Sequence, residues 1–191
     1  SAVKLMYLSF SDKGAALAAQ MAEHLGGEAS RCGRPLTLGQ WTAEAFSQAE
    51  GLIFVGAAGI AVRAIAPWVK SKTADPVVVV VDECAHFAVP ILSGHLGGAN
   101  DLARSIAKAC GAVPVLTTAT DANGVFAVDE WAKRQNCCVV DPGKIKHVSG
   151  AVLAGKTVRV FSPWHIEGDA PGGVEQVREG PCDVCLDVRA G

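Results

Sequence analysis

Three segments of this 191-residue chain carry polar residue types at spacings that suit chemistry. Asp82-Glu83 follows a run of valines, and Ser93-Gly94-His95-Leu96-Gly97-Gly98-Ala99-Asn100 leads into a helical pattern. Thr117-Thr118-Ala119-Thr120-Asp121 follows another short apolar run. The imidazole of His95 titrates near neutrality and can take or give a proton. Glycines at 94, 97 and 98 let backbone N–H groups approach a ligand closely, and a helix starting there aims its positive end at an anion. The threonines add hydroxyls. Each residue has a plainer structural use: Asn100, Thr120 or Asp121 as a helix cap, His95 as a satisfied turn residue. Capping needs neither a histidine nor three glycines, so the segments together point to a ligand site.

Two further groups carry weaker signals. Arg63, Lys70 and Lys72 flank Asp75-Pro76 and form either a solvated face or a cationic rim for carboxylates or phosphates. Cys182-Asp183-Val184-Cys185 has the look of half a zinc site or of a redox pair, but no second pair follows at metal spacing. No residue is assigned to a resident metal. A Walker sequence, a dinucleotide glycine fingerprint after the first strand and a nucleophile elbow are all missing, which weighs against a nucleotide enzyme.

The elements that must position these residues alternate. Apolar runs at Val3–Ser9, Gly51–Val55, Val77–Val81, Phe87–Leu92, Ala112–Leu116, Cys137–Val140 and Val158–Phe161 read as strands, with a last one at Val184–Val188. Helical spacing follows Ser11 and Asp12 through Leu17, Met21 and Leu25, stopping at Gly26-Gly27. It recurs at Thr42–Ala49, around Ile60 and Ile65, and over Gly97–Gly111, Val125–Gln135 and Lys144–Leu153. Leu36–Trp41 is ambiguous, and Pro163–Gly180 reads as a loop. Val77–Val81 is apolar on both faces, as a central strand of a covered parallel sheet is.

This alternation predicts an α/β fold: a mostly parallel, doubly wound sheet with helices on both faces, plus a smaller second α/β unit. The boundary is expected near residue 135, giving 1–134 and 135–191. Ligands of such sheets bind outside the carboxyl ends of the strands, where the three polar segments are expected to meet.

Composition narrows the classes. Half the residues are hydrophobic, which excludes disorder, and 17 basic against 19 acidic residues argue against a nucleic-acid or anionic-membrane partner. The longest apolar stretch, Gly51–Val62, is short of the ~20 residues of a membrane span. No secretory pattern is visible, and a start at Ser1 rather than Met suggests a processed end or a cloning remnant. Seven cysteines without framework spacing, Cys137 and Cys138 adjacent, fit reduced thiols and a cytoplasmic location.

In their order, Gly51-Leu52-Ile53-Phe54, Gly59 to Pro67, Lys72 with Asp75 to Asp82, Leu92 to Asn100 and Thr117 to Asp121 closely resemble the cobalamin-biosynthesis CbiG family, the cobalt-precorrin-5A hydrolases. A weaker match through Gly143 to Val160 resembles that family's central region. The resemblance implies opening of the ring-A lactone of a cobalt-containing macrocycle and release of the extruded carbon as acetaldehyde. On that reading His95 is the general base, with Asp82 or Asp121 orienting it or replacing it. The N–H groups of Gly97 and Gly98, with Thr117 or Thr118, stabilise the oxyanion. Arg63, Lys72 and the helix start near Asn100 hold acetate and propionate arms; Ser93, Gly94 and Thr120 complete the substrate contacts. The implied partner is the cobalt-precorrin tetrapyrrole, which carries its own cobalt, so no cofactor is expected. Members of the family carry a further carboxy-terminal domain, so the chain is expected to be a fragment or a divided form. A homodimer and contacts with that domain or with other cobalamin-pathway enzymes stay open. The alternatives are a non-catalytic corrinoid-binding module that needs a partner domain, and a redox module using Cys182 and Cys185.

Overall fold

The computed structural model describes residues 4–93, 98–166 and 168–188. It divides into two compact units, Ser1–Leu116 and Thr117–Gly191, so the division falls earlier in the chain than residue 135.

The first unit runs β1 (Leu5–Ser9), α1 (Asp12–Leu25), β2 (Glu28–Arg31), α2 (Leu38–Gln48), β3 (Gly51–Val55), α3 (Ala58–Ile65), β4 (Val77–Val81), β5 (Phe87–Leu92), α4 (Ala99–Cys110) and β6 (Val113–Pro114). The sheet order is β2-β1-β3-β4-β5-β6. All five valines of β4 are buried, because alternate side chains meet a different helical layer on each face. Val77, Val79 and Val81 join Leu17 and Met21 of α1 and Ala103 and Ile106 of α4. Val78 and Val80 join Trp41 and Ala45 of α2 and Ala61 and Ile65 of α3. Helices thus cover both faces, as the doubly wound reading requires. Burial of each such valine contributes roughly 1.5–3 kcal/mol. Trp41 meets the Phe54 ring edge-on at 5.4 Å. Gly51 is needed where it stands: a Cβ there would lie 2.8 Å from Leu5 Cδ2 and 3.0 Å from Val77 Cγ2.

Two helix starts show how local chemistry sets the boundaries. Ser11 Oγ accepts from the Gly14 N–H at 2.9 Å and caps α1. At α2 the Thr37 hydroxyl accepts from the Gln40 N–H while the Gln40 side chain accepts from the Thr37 N–H, a reciprocal capping box. The helix therefore begins at Leu38, upstream of the expected Thr42. β2 went unread because Glu-Ala-Ser-Arg is polar: it is an edge strand held by parallel pairing to β1.

β1 to β4 are parallel, but β5 runs antiparallel to β4 and β6 runs parallel to β5. Residues 82–86 are too few for a parallel crossover, which takes about a dozen residues, so the chain turns straight back.

The second unit contains α5 (Ala119–Ala122), α6 (Val128–Arg134), a 3-10 turn (Pro142–Lys144), α7 (Ile145–Leu153), β7 (Val158–Phe161), β8 (Val174–Val177) and β9 (Val184–Cys185). Its parallel sheet has the order β8-β7-β9. Val158 and Val160 of β7 are buried with Phe126, Val128 and Val152. Cys137–Val140 is irregular rather than a strand: both cysteines are exposed and Val140 is 71% exposed, so no partner strand covers the run. The expected loop Pro163–Gly180 contains β8, which the preceding Gly and Pro residues obscured.

Candidate functional site

The turn between β4 and β5 decides where the polar segments go. Asp82 follows the carboxyl end of β4. Leu92 at the end of β5 pairs with Val78 near the start of β4, so Ser93 emerges at the opposite end of the sheet. More than about 13 Å of strand separates the two positions. Asp82 and Ser93 therefore do not form one constellation, contrary to the expected meeting at the carboxyl ends.

At the Ser93 end the backbone is tightly held. The Ser93 hydroxyl donates to the Asp75 carbonyl at 3.3 Å, and the Ala99 N–H donates to the Ser93 carbonyl at 3.1 Å. Ser93 itself has φ 59, unusual for a residue with a side chain. Gly98 has φ 87 at the start of α4, a position with no capping side chain, and Asn100 is buried in the first turn. Lys72 is exposed in the loop that enters β4 at this same end. In that loop the Lys70 N–H donates to both Asp75 carboxylate oxygens, at 3.1 and 2.9 Å. Arg63 is exposed on α3 and donates to the Gly59 carbonyl at 3.3 Å. Gly94, His95 and Gly97 lie outside the described residues.

Thr117, Thr118, Thr120 and Asp121 belong to the second unit. The Thr118 hydroxyl donates to Asp121 Oδ2 at 2.5 Å, and Thr120 is buried. In the same unit a cavity of about 590 Å³ lies beyond the carboxyl ends of β7 and β8, lined by Phe161, Ser162, Pro163, Trp164, His165, Gln176 and Arg178. A flat ring, an imidazole and a guanidinium beside one cavity suit a planar ligand with carboxylate arms. Sequence reading passed over it because its residues sit in the Gly- and Pro-rich stretch. Cys182 and Cys185 are exposed and form no disulfide.

The carboxyl end of β4 carries a different set. Asp82 accepts from the Cys84 N–H at 3.0 Å and from the Phe87 N–H at 2.7 Å, and its Oδ1 lies 3.3 Å from His86 Nδ1. Lys13 Nζ lies 3.0 Å from Cys84 Sγ. That hydrogen bond is the largest cause holding the Lys13 ammonium above its ordinary range, with help from Glu83 and Asp82. The Ser11 hydroxyl donates to Glu83. Nearby, Arg31 donates to Asp12, and its guanidinium lowers the Asp12 carboxyl below the usual range.

The fold and its polar ends define a doubly wound α/β protein with a small parallel α/β companion. The sequence matches the cobalamin synthesis G N-terminal region over residues 40–121 and the cobalamin biosynthesis central region over residues 126–181. The chain belongs to the CbiG family of cobalamin biosynthesis. It is similar to the cobalt-precorrin-5A hydrolase of Salmonella typhimurium, 50% identical over 98 residues, covering 51% of this chain and 28% of that protein. The cobalt-precorrin-5A hydrolase of Priestia megaterium is 37% identical over 136 residues, covering 68% of this chain and 36% of that protein. The chain thus spans about a third of the length of the curated relatives it matches. The crystal structure of a cobalamin biosynthesis protein G homolog from Sulfolobus solfataricus shares the fold, with a TM-score of 0.58 and 19% identity, covering 95% of this chain and 58% of that one. Among the described residues, no helix is long and apolar enough to cross a membrane.

Proposed function

We propose that this chain carries the substrate-handling part of a cobalt-precorrin-5A hydrolase. The observation that carries the reading is the 50% identity over 98 residues to a hydrolase of that name. The family match over 40–121 also spans every proposed site residue from Arg63 to Asp121.

The reaction asks for an activated water, a stabiliser of the lactone oxyanion and grip on carboxylates. Water adds to the ring-A lactone carbonyl and the C–O bond breaks, leaving a carboxylate and a hydroxyl on the extruded carbon. That hydroxyl then loses its proton and forms the carbonyl of acetaldehyde as the carbon–carbon bond breaks. The bonding pair passes to the macrocycle, which takes it into its conjugated system or picks up a proton. His95 is proposed as the base that activates the water, with Asp121 as its partner or substitute. The N–H groups of Gly97 and Gly98, with the Thr117 and Thr118 hydroxyls, are proposed to meet the oxyanion. Lys72, Arg63, Ser93, Gly94, Asn100 and Thr120 are proposed to hold the substrate's arms. Asp82 is withdrawn from this set, because the β4–β5 turn carries it to the other end of the sheet.

The test is anaerobic incubation of the purified chain with cobalt-precorrin-5A, assayed for acetaldehyde. Turnover that disappears in His95→Ala and Asp121→Ala supports the reading. Turnover at the normal rate in both folded variants overturns the role assignment. The same assay tests the alternative, a corrinoid-binding module that needs a partner domain. Tight binding without product would select it.

A further inference from the structure

We propose that the turn between β4 and β5 binds a divalent metal ion of borderline softness, of the Zn²⁺ or Co²⁺ kind, through Asp82, Cys84 and His86. A carboxylate oxygen, a sulfur and an imidazole nitrogen from these residues all lie within 4.8 Å of one another. The site is independent of the hydrolase reading, since it stands at the opposite end of the sheet from Ser93.

The donor set selects the ion. Thiolate and imidazole disfavour Mg²⁺ and Ca²⁺, which take oxygen ligands, whereas sulfur, nitrogen and carboxylate together suit tetrahedral Zn²⁺ or Co²⁺. With bonds of about 2.0–2.3 Å, tetrahedral ligand atoms sit roughly 3.3–3.8 Å apart. Cys84 and His86 are exposed and can close the remaining gap by rotating their side chains.

The spacing is set by the turn. The Ala85 N–H donates to the Asp82 carbonyl at 2.9 Å and Ala85 has φ 57, so the chain folds back on itself and brings the side chains of residues 82, 84 and 86 together. The Cys84 and Phe87 N–H groups fix the Asp82 carboxylate, and the Val113 N–H donates to the His86 carbonyl at 2.8 Å, anchoring the far end. Outside the ligands, Lys13 donates to the sulfur at 3.0 Å, a contact that survives when the sulfur binds a metal. On binding, Cys84 releases its thiol proton to solvent and the ion keeps its charge. Three protein ligands leave a fourth position for water or a carboxylate.

The test uses the metal-stripped chain titrated with Co²⁺, then with Zn²⁺ as competitor. The expected result is one ion per chain, with the ligand-field bands of tetrahedral Co²⁺ and a thiolate-to-cobalt charge-transfer band that Zn²⁺ displaces. Cys84→Ser should abolish the charge-transfer band, and His86→Gln should weaken binding at least tenfold. Both changes are on the surface, and circular dichroism verifies the fold. Cys182→Ser should leave the band intact. No band in the wild-type chain, or a band that survives Cys84→Ser, overturns the proposal. A band lost in Cys182→Ser also overturns it, by moving the metal to the second unit.

Discussion

The two ends of the six-stranded sheet are built differently from the same strands. At the carboxyl end of β4, side chains crowd on a short turn: Asp82, Cys84 and His86 face one another, with Lys13 against the sulfur. At the amino end the backbone dominates: Ser93 and Gly98 hold left-handed conformations, and the first turn of α4 carries Asn100. The first arrangement suits a compact cation, the second an extended anionic substrate. One tight connection separates them. Had β5 been joined to β4 by a crossover helix, Asp82 and Ser93 would share an end.

If the two ends act independently, His95→Ala should lower acetaldehyde release by about a hundredfold or more while leaving Co²⁺ affinity unchanged. Parallel kinetics and Co²⁺ titration check this, and a joint loss would merge the two ends. A change in the shared sheet should affect both. Phe54→Ala removes a fully buried ring packed on Trp41 and should cost about 3–5 kcal/mol in urea unfolding. The Co²⁺ site and substrate binding should then fail at the same denaturant concentration; separate midpoints would show that one end is held locally.

Tyr7, buried on β1 between the two ends, gives a pH test. Burial pushes its phenol up to about 12 from 10.0. The folded chain therefore holds this proton more tightly than the unfolded one. Its contribution is complete below pH 10 and is lost as pH rises toward 12, by roughly 3 kcal/mol. Unfolding curves across that window should show the fall, and Tyr7→Phe should abolish it. That variant also loses the hydrogen bond to the Gly26 carbonyl, about 1 kcal/mol at neutral pH. The smallest effect is expected at α2, remote from the chemistry: Thr37→Ala removes half of the capping box and should cost about 1 kcal/mol. Both ends should keep their function in that variant, as Co²⁺ titration and turnover would verify.

Much of the first unit was legible. The valine run announced a strand buried on both faces because only a strand between two helical layers can hide five consecutive valines. The sulfur-bearing turn was less legible, since Asp-x-Cys-x-His means little until the chain reverses and stands the three side chains together. In the second unit, Cys137–Val140 imitated a strand in composition alone, while β8 was hidden by neighbouring glycines and prolines. Local pattern is a poor guide where strands are four residues long or fewer and partners decide.

Residue order alone determined the family, the alternation of strands and helices and the polar segments worth attention, because each rests on local composition and spacing. The antiparallel return of β5 also had a local cause in the brevity of residues 82–86. What it separates became visible only in the assembled sheet. Direction along a strand assigns every following residue to one end or the other, and hydrogen-bonded register between β4 and β5 sets that direction. Tertiary pairing therefore decided that Asp82 and Ser93 work apart.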